Sequence, residues 1–152
     1  MERGLSKMFE IRESEPSSPL HVEVAEVRYD ALYREWGLPR SLIEDIEART
    51  FRHAAAFDGG TVIGYARIRL EGGDSRISQV SVAPGHQGEG IGAALVEALV
   101  RMARIAGRTE VTLDARTHVI AFYERLGFVA EGKEFLSERT GTPHRRMRKA
   151  GL

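Results

Sequence analysis

The sequence predicts an α+β fold, α/β-like in its second half, in which a mixed twisted sheet carries helices on both faces of a single domain. Three patterns lead there. Hairpin-type strand pairs fill the middle of the chain, a long amphipathic helix runs from Gly90 to Ala106, and short apolar strands then alternate with helices, an order that makes parallel neighbours. At 152 residues the chain has the size of one domain, about 150 residues. That domain is expected to span residues 1–152, with 1–7 flexible. A domain of this size buries roughly 70% of the surface of its unfolded chain, so it needs no disulfide or metal to hold it.

The elements follow in order. Met8 to Glu13 predicts a short strand, and the segment Ser14-Glu15-Pro16-Ser17-Ser18-Pro19 reads as a turn. Ser17 or Ser18 before Pro19 starts a helix, because proline suits the first helical position. Leu20, Val24, Val27 and Ala31 then recur at helical spacing; Val22 and Val24 also permit a strand, and helix is the preferred reading. Gly37 and Pro39 end this segment, and a polar helix is expected over Ser41–Arg49. His53–Phe57 and Thr61–Leu70, joined by Asp58-Gly59-Gly60, give a hairpin with an Asp-Gly turn. After a turn at Gly72-Gly73-Asp74, Ile77 to Val82 alternates apolar and polar side chains until Pro84 stops the strand. From Gly90 to Ala106 the residues Ile91, Leu95, Ala98, Leu99, Met102 and Ile105 mark the inner face of a helix that Gly107 ends. Glu110–Asp114 is a strand, Thr117–Leu126 a helix closed by Gly127, and Phe128–Ala130 and Arg145–Lys149 are the last strands.

Composition excludes several chemistries. Lys plus Arg number 22 and Asp plus Glu 22, so no net field draws the protein to nucleic acid or to anionic lipid. Without cysteine there is no disulfide, no thiolate metal site and no cysteine nucleophile, a composition that suits a reducing cytoplasm. Met1 to Lys7 lacks the apolar stretch of a signal peptide, and nowhere do about 18 apolar residues run together, so neither export nor membrane spanning is expected. His21, His53, His86, His118 and His144 show no metal-ligand spacing, so no metal is expected. The closing His144-Arg145-Arg146-x-Arg148-Lys149 reads as a solvated edge strand, its charges alternating around Met147. Tyr33 and Trp36 either line a pocket or belong to the core.

The most informative stretch runs from Val80-Ser81-Val82 through Gln87-Gly88-Glu89-Gly90-Ile91-Gly92-Ala93, from a strand through glycines into a helix. Unpaired N–H groups and the helix macrodipole attract an anion there, and glycine lets its oxygens approach. Glycines also allow close packing of helix on strand, and the loop alone leaves both readings open. A P-loop is excluded, since it needs Lys and then Ser or Thr where Ala93-Ala94 follow Gly92. Gly88-x-Gly90-x-x-Ala93 fits a dinucleotide fingerprint formally, with Asp114 as the ribose acid. Five residues including Pro84 nevertheless separate strand from first glycine where that motif needs a tight turn, and the chain is too short for its second half.

The remaining match is Gln87-x-x-Gly90-x-Gly92 after an apolar strand, and a second, distant stretch accompanies it: Ala121-Phe122-Tyr123-Glu124-Arg125-Leu126-Gly127-Phe128. Together they resemble the signature of the GNAT superfamily of acyl-CoA-dependent N-acetyltransferases. Gly64-Tyr65-Ala66-Arg67, Leu113-x-Ala115-x-x-His118 and Pro143-His144-x-x-Met147 extend the likeness to the ElaA-like branch over about residues 50–150. The chain departs from that branch at Tyr33-Arg34-Glu35-Trp36-Gly37-Leu38-Pro39, where Val-x-x-Glu-Gln is common, and at Arg116, which stands for a usual glutamine.

The resemblance implies a GNAT fold with six or seven strands and direct transfer of acetyl from acetyl-CoA to a primary amine of a small molecule or peptide. It implies no metal, and allows a homodimer. The Val80, Ser81 and Val82 backbone would pair with the pantetheine arm, and Gln87, Gly88, Glu89, Gly90, Ile91, Gly92 and Ala93 would hold the pyrophosphate. Tyr123 is the expected acid, or a packed aromatic with a bonded hydroxyl; Asp114 and His118 are candidate bases, or a local ion pair and a helix-start residue. The rival from another class is a non-catalytic acyl-CoA-binding or partner-binding module.

Overall fold

Ala54, Ala55 and Ala56 are all wholly buried, which a strand allows only when both faces of its sheet are covered. Small side chains at these successive positions let layers close on either side. The computed structural model describes residues 9–14, 21–43 and 51–152. Among these residues seven strands form one sheet in the order β1-β2-β3-β4-β5-β7-β6. They are β1 Glu10–Ser14, β2 Phe51–Asp58, β3 Thr61–Arg69, β4 Arg76–Val82, β5 Glu110–Arg116, β6 Val129–Leu136 and β7 Pro143–Ala150. Among the described residues three α-helices accompany them: α1 His21–Tyr29, α2 Ile91–Ile105 and α3 Ile120–Arg125. All strand pairs are antiparallel except β4–β5, the pair that α2 connects.

Alternation sorts the core into two layers. Ala54, Ala56, Ile63, Ala66 and Ile68 face α2 and the Tyr123–Phe128 region, while Ala55, Phe57, Val62 and Tyr65 face Val24 and Val27 of α1. Helices thus cover both faces, as expected. On the first side Gly64 makes close approach possible, since a Cβ there would lie 2.8 Å from Ile91 Cγ2 and 3.1 Å from Leu95 Cδ1.

Several expectations shift. The segment after His21 is helical, the strand alternative being set aside, and runs on through a wider turn over Asp30–Arg34. The hairpin turn is the pair Gly59-Gly60, since Asp58 still pairs with Thr61 and the left-handed residue is Gly59 at φ +61°. The buried stripe of α2 passes through Val96, Val100 and Ala103, leaving Ile105 79% exposed. The helix expected over 117–126 divides into a 3₁₀ turn, Thr117–Val119, and α3. The first of the last two strands is longer than its apolar start suggests, because Glu131–Glu134 is polar and interrupts the pairing with β7 as a bulge. The basic segment is β7 and lies inside the sheet, not at its edge; ion pairs with β5 and β6 make that tolerable, as in Arg146–Asp114 and Arg148–Glu131. Of the polar helix expected over 41–49, the described part is a 3₁₀ turn, Arg40–Ile43. The expectations for Met1–Lys7, for the turn and helix start at 15–19 and for 44–49 lie outside the described residues.

Candidate active site

The sheet opens where β4 bulges. Arg76 and Ile77 pair with Thr112 and Leu113, and beyond them the two parallel strands have no further partners in register. The cause is an extra residue in β4: Tyr65 faces Ser81 and Arg67 faces Ser78, so three steps on β4 answer two on β3. Gln79 adopts φ +58° there, the one non-glycine residue with a positive φ among the described residues. Its amide oxygen accepts from Arg28 Nε and from the Tyr33 hydroxyl, each at 3.1 Å. The extra residue also reverses the alternation expected for this strand. Ser81 becomes the buried side chain, its hydroxyl donating to the Gln79 carbonyl at 2.9 Å, while Val80 and Val82 turn to the opening. Ala83 N–H donates to the Ile63 carbonyl, so by the antiparallel alternation the main-chain groups of Ser81 face β3 and those of Val80 and Val82 face the gap.

An open cavity of about 900 Å³ occupies this gap. At one end lies the glycine loop. Gly88 and Gly90 have φ +82° and +83°, and a Cβ on either would meet nothing within 4 Å, so their role is backbone conformation beside open space. Gly92 differs: a Cβ would stand 3.2 Å from the Phe122 ring, so this glycine serves packing. Packing accounts for Gly92, while the conformations of Gly88 and Gly90 leave the approach to the loop open. Helix α2 begins at Gly90 without a side-chain cap and without an acidic residue in its first turn. Fifteen residues of aligned peptide dipoles therefore turn their positive end toward the cavity.

The chemically active candidates line the same cavity. Tyr123 is 8% exposed, packs edge-on against Phe122 and Phe128 at ring distances of 4.9 and 5.9 Å, and lines the cavity. Burial pushes its phenol well above the ordinary range, so it stays protonated at neutral pH. Asp114 accepts from Arg146 Nε at 2.5 Å through one oxygen and from Arg76 at 3.4 Å through the other, an ion pair as the alternative reading had it but with partners distant in sequence. His118, in the turn before α3, is exposed, and its ring lies 5.9 Å from that of Trp36. Trp36 also lies under the Arg116 guanidinium at 5.1 Å. Tyr33 and Trp36 divide between the two roles considered for them: Tyr33 is 2% exposed and clamps Gln79, whereas Trp36 is 42% exposed at the rim.

One cavity thus brings together Val80, Val82, Gln87, Gly88, Gly90, Ile91, Gly92, Ala93, Asp114, His118 and Tyr123. Ser81 and Glu89 do not line it; Glu89 turns to His86 Nδ1 at 3.2 Å. Sequence reasoning missed Gln79 and Arg28, since nothing in Ile77–Val82 marks the bulge. Among the described residues no group of three or more His, Asp or Glu side chains is disposed to hold a metal ion, and no helix is long and apolar enough to cross a membrane.

A family model for the acetyltransferase (GNAT) domain matches residues 23–150. Among curated proteins, the chain is 30% identical over 125 residues to the uncharacterized N-acetyltransferase YjcF of Bacillus subtilis, a match spanning 81% of this chain and 87% of that protein. An acyl-CoA N-acyltransferase from Pseudomonas aeruginosa superimposes with a TM-score of 0.77 at 25% identity, over 93% of this chain and 98% of that one. Escherichia coli ElaA superimposes at 0.78 with 22% identity, over 93% and 99% of the two chains, a likeness of fold.

Proposed function

The chain belongs to the acetyltransferase (GNAT) family, and from that premise we propose that it transfers acetyl from acetyl-CoA to a primary amine of a small molecule or peptide, by direct attack within a ternary complex. The observation that carries this reading is the bare N-terminus of α2, opening with Gly88 and Gly90 into the same cavity that the splayed β4 and Tyr123 line. These residues suit coenzyme A. Main-chain N–H groups from Gln87 to Ala93 answer a pyrophosphate, and the gap-facing groups of Val80 and Val82 suit the amides of a pantetheine arm.

Acetyl-CoA supplies a thioester carbonyl that an amine can attack without a covalent enzyme intermediate, which matches a chain with no cysteine. A gap-facing N–H on β4 would polarise that carbonyl, a kind of contact whose loss costs about 3 to 4 kcal/mol elsewhere. Holding amine and thioester together supplies the larger part of the acceleration. Tyr123, protonated throughout the neutral range, gives a proton to the departing sulfur. Asp114 has both oxygens committed to guanidinium groups, so His118, at the rim and able to act through water, is the better base.

The test has two readouts. At about 100 times its dissociation constant, acetyl-CoA adds roughly 2.7 kcal/mol of stability, a rise of about 5 to 10 °C in Tm for a chain of this size. Release of CoA thiol over a panel of amines then measures turnover. No melting shift with either CoA or acetyl-CoA overturns the reading; a shift without turnover on any amine leaves a binding module instead of an enzyme.

A further inference from the structure

Resting on the reading that an amine is acetylated in this cavity, we propose that the acceptor carries a carboxylate beside its amine, and that Arg116 is the residue that receives it. Arg116 ends β5 and shares a face with Asp114, two positions earlier, while Val111, Leu113 and Ala115 point into the core. The three arginines near this face differ in their commitments. Arg76 and Arg146 take the oxygens of Asp114, so that carboxylate is already answered and has little left for an incoming ammonium group. Arg116, by contrast, lies over the Trp36 indole and, among the described residues, forms no ion pair with a carboxylate.

A guanidinium stacked on a ring keeps its N–H edge free, and that planar fork matches a carboxylate with two parallel hydrogen bonds. The group is half-buried, and burial lowers its pKa from the ordinary arginine value; Tyr33 and then Glu35, the latter exposed on the same loop as Trp36, act on it in the opposite direction, and Glu35 does not form an ion pair with it. Charge around the cavity runs the same way: Arg76, Arg116, Arg125 and Arg139 line it against Glu35 and Asp114. A polycation is repelled from such a site, and an amine with an acid attached is drawn to it. Geometry completes the argument. His118 stands against the same indole at 5.9 Å, so the group proposed to accept the amine proton and the group proposed to hold the acid flank one ring.

The experiment uses matched pairs: free amino acids against their amides, and short peptides with free against amidated C-termini, each assayed by CoA thiol release and by calorimetric binding in the presence of CoA. The acid members should exceed their amides by about tenfold to hundredfold in kcat/KM, and the free and peptide arms show which source of carboxylate the site takes. Arg116→Gln should abolish that ratio through KM with little change in kcat, Arg116→Lys should restore part of it, and the melting shift with CoA should persist in both. Equal use of acid and amide, preference for polyamines or phosphorylated amines, an unchanged ratio in Arg116→Gln, or no acceptor binding at all overturns the proposal. Those outcomes with an intact CoA shift sink this inference alone, whereas loss of the wild-type shift sinks the acetyltransferase reading beneath it.

Discussion

The hydroxyl of Tyr33 donates to the side-chain oxygen of Gln79 across 3.1 Å, joining the turn after α1 to the bulge of β4. Arg28, itself 3% exposed, donates to that same oxygen, so two groups from the helical layer hold the one left-handed non-glycine residue described in the chain. The bulge is where β4 leaves β5, and the clamp on Gln79 is therefore a clamp on the cavity. Gln79→Ala should destabilise the protein by about 1 to 3 kcal/mol, since two buried donors lose their acceptor. Gln79→Gly loses the same acceptor but relieves the left-handed strain of about 1 kcal/mol, so its Tm should lie about 2 to 4 °C above that of the alanine variant. Both should raise the KM for acetyl-CoA. Thermal melting of the pair decides it: equal Tm values mean the strain at this position is negligible.

The glycines separate by function. Gly90→Ala puts a Cβ where nothing stands in the way but forces φ +83° on an alanine, beside the open space of the loop. It should weaken the melting response to CoA by at least about tenfold in apparent Kd, because the new methyl occupies the approach to the helix N-terminus. Gly64→Ala drives its Cβ into Ile91 and Leu95, and against the Ser81 carbonyl oxygen at 3.2 Å, so it should lower stability by about 1 to 3 kcal/mol. Differential scanning of both variants with and without CoA distinguishes a binding glycine from a packing one. A Gly90→Ala protein with a full CoA shift would remove the loop from the cofactor site.

What the sequence carried and what it did not follow from the physics of each signal. The two-faced sheet and α2 were legible because periodicity and glycine turns act locally, and Gln87-x-x-Gly90-x-Gly92 with Phe122-Tyr123 lay in short contiguous stretches. The bulge at Gln79 was not, because Val80-Ser81-Val82 reads as ordinary alternation and only the pairing with Tyr65 and Arg67 reveals the added residue. Long-range partners were equally hidden: Arg146 and Arg76 reach Asp114 over separations of 32 and 38 residues, which no local pattern encodes. Ile105 misled for a simpler reason, as an apolar residue at a helix end can be left in solvent.

That ion-pair triad yields a further expectation. Asp114 is 28% exposed and is gripped by Arg146 and Arg76, themselves 33% and 43% exposed, so screening limits the value of the cluster. Asp114→Asn should cost about 1 kcal/mol in stability, less in high salt. As a carboxylate already occupied by two guanidinium groups, it should matter little to proton transfer, and kcat should fall by less than about tenfold, well short of the roughly hundredfold or more that loss of an acid–base group costs. His118→Gln should lower kcat further. A large kcat loss confined to Asp114→Asn would return the base to that residue.

Tyr123 gives a prediction with two independent readouts. As the proton donor, its replacement by Phe should lower kcat by about a hundredfold or more while the acetyl-CoA KM stays near that of the wild type. A phenol that merely packs would leave turnover intact, since Phe keeps the edge-on contacts with Phe122 and Phe128. Stability supplies the second readout. In the unfolded chain the phenol titrates near about 10, and burial raises that value in the fold. Above about pH 10 the unfolded state therefore sheds a proton that the folded state keeps, so unfolding gains from each further rise in pH. The stabilisation is complete below the unfolded pKa and is lost as pH climbs toward the folded one. Wild-type Tm should consequently fall faster than that of Tyr123→Phe between about pH 10 and 11, with parallel behaviour at neutral pH. Parallel curves through the alkaline range would mean that the hydroxyl reaches water and is not held protonated by burial.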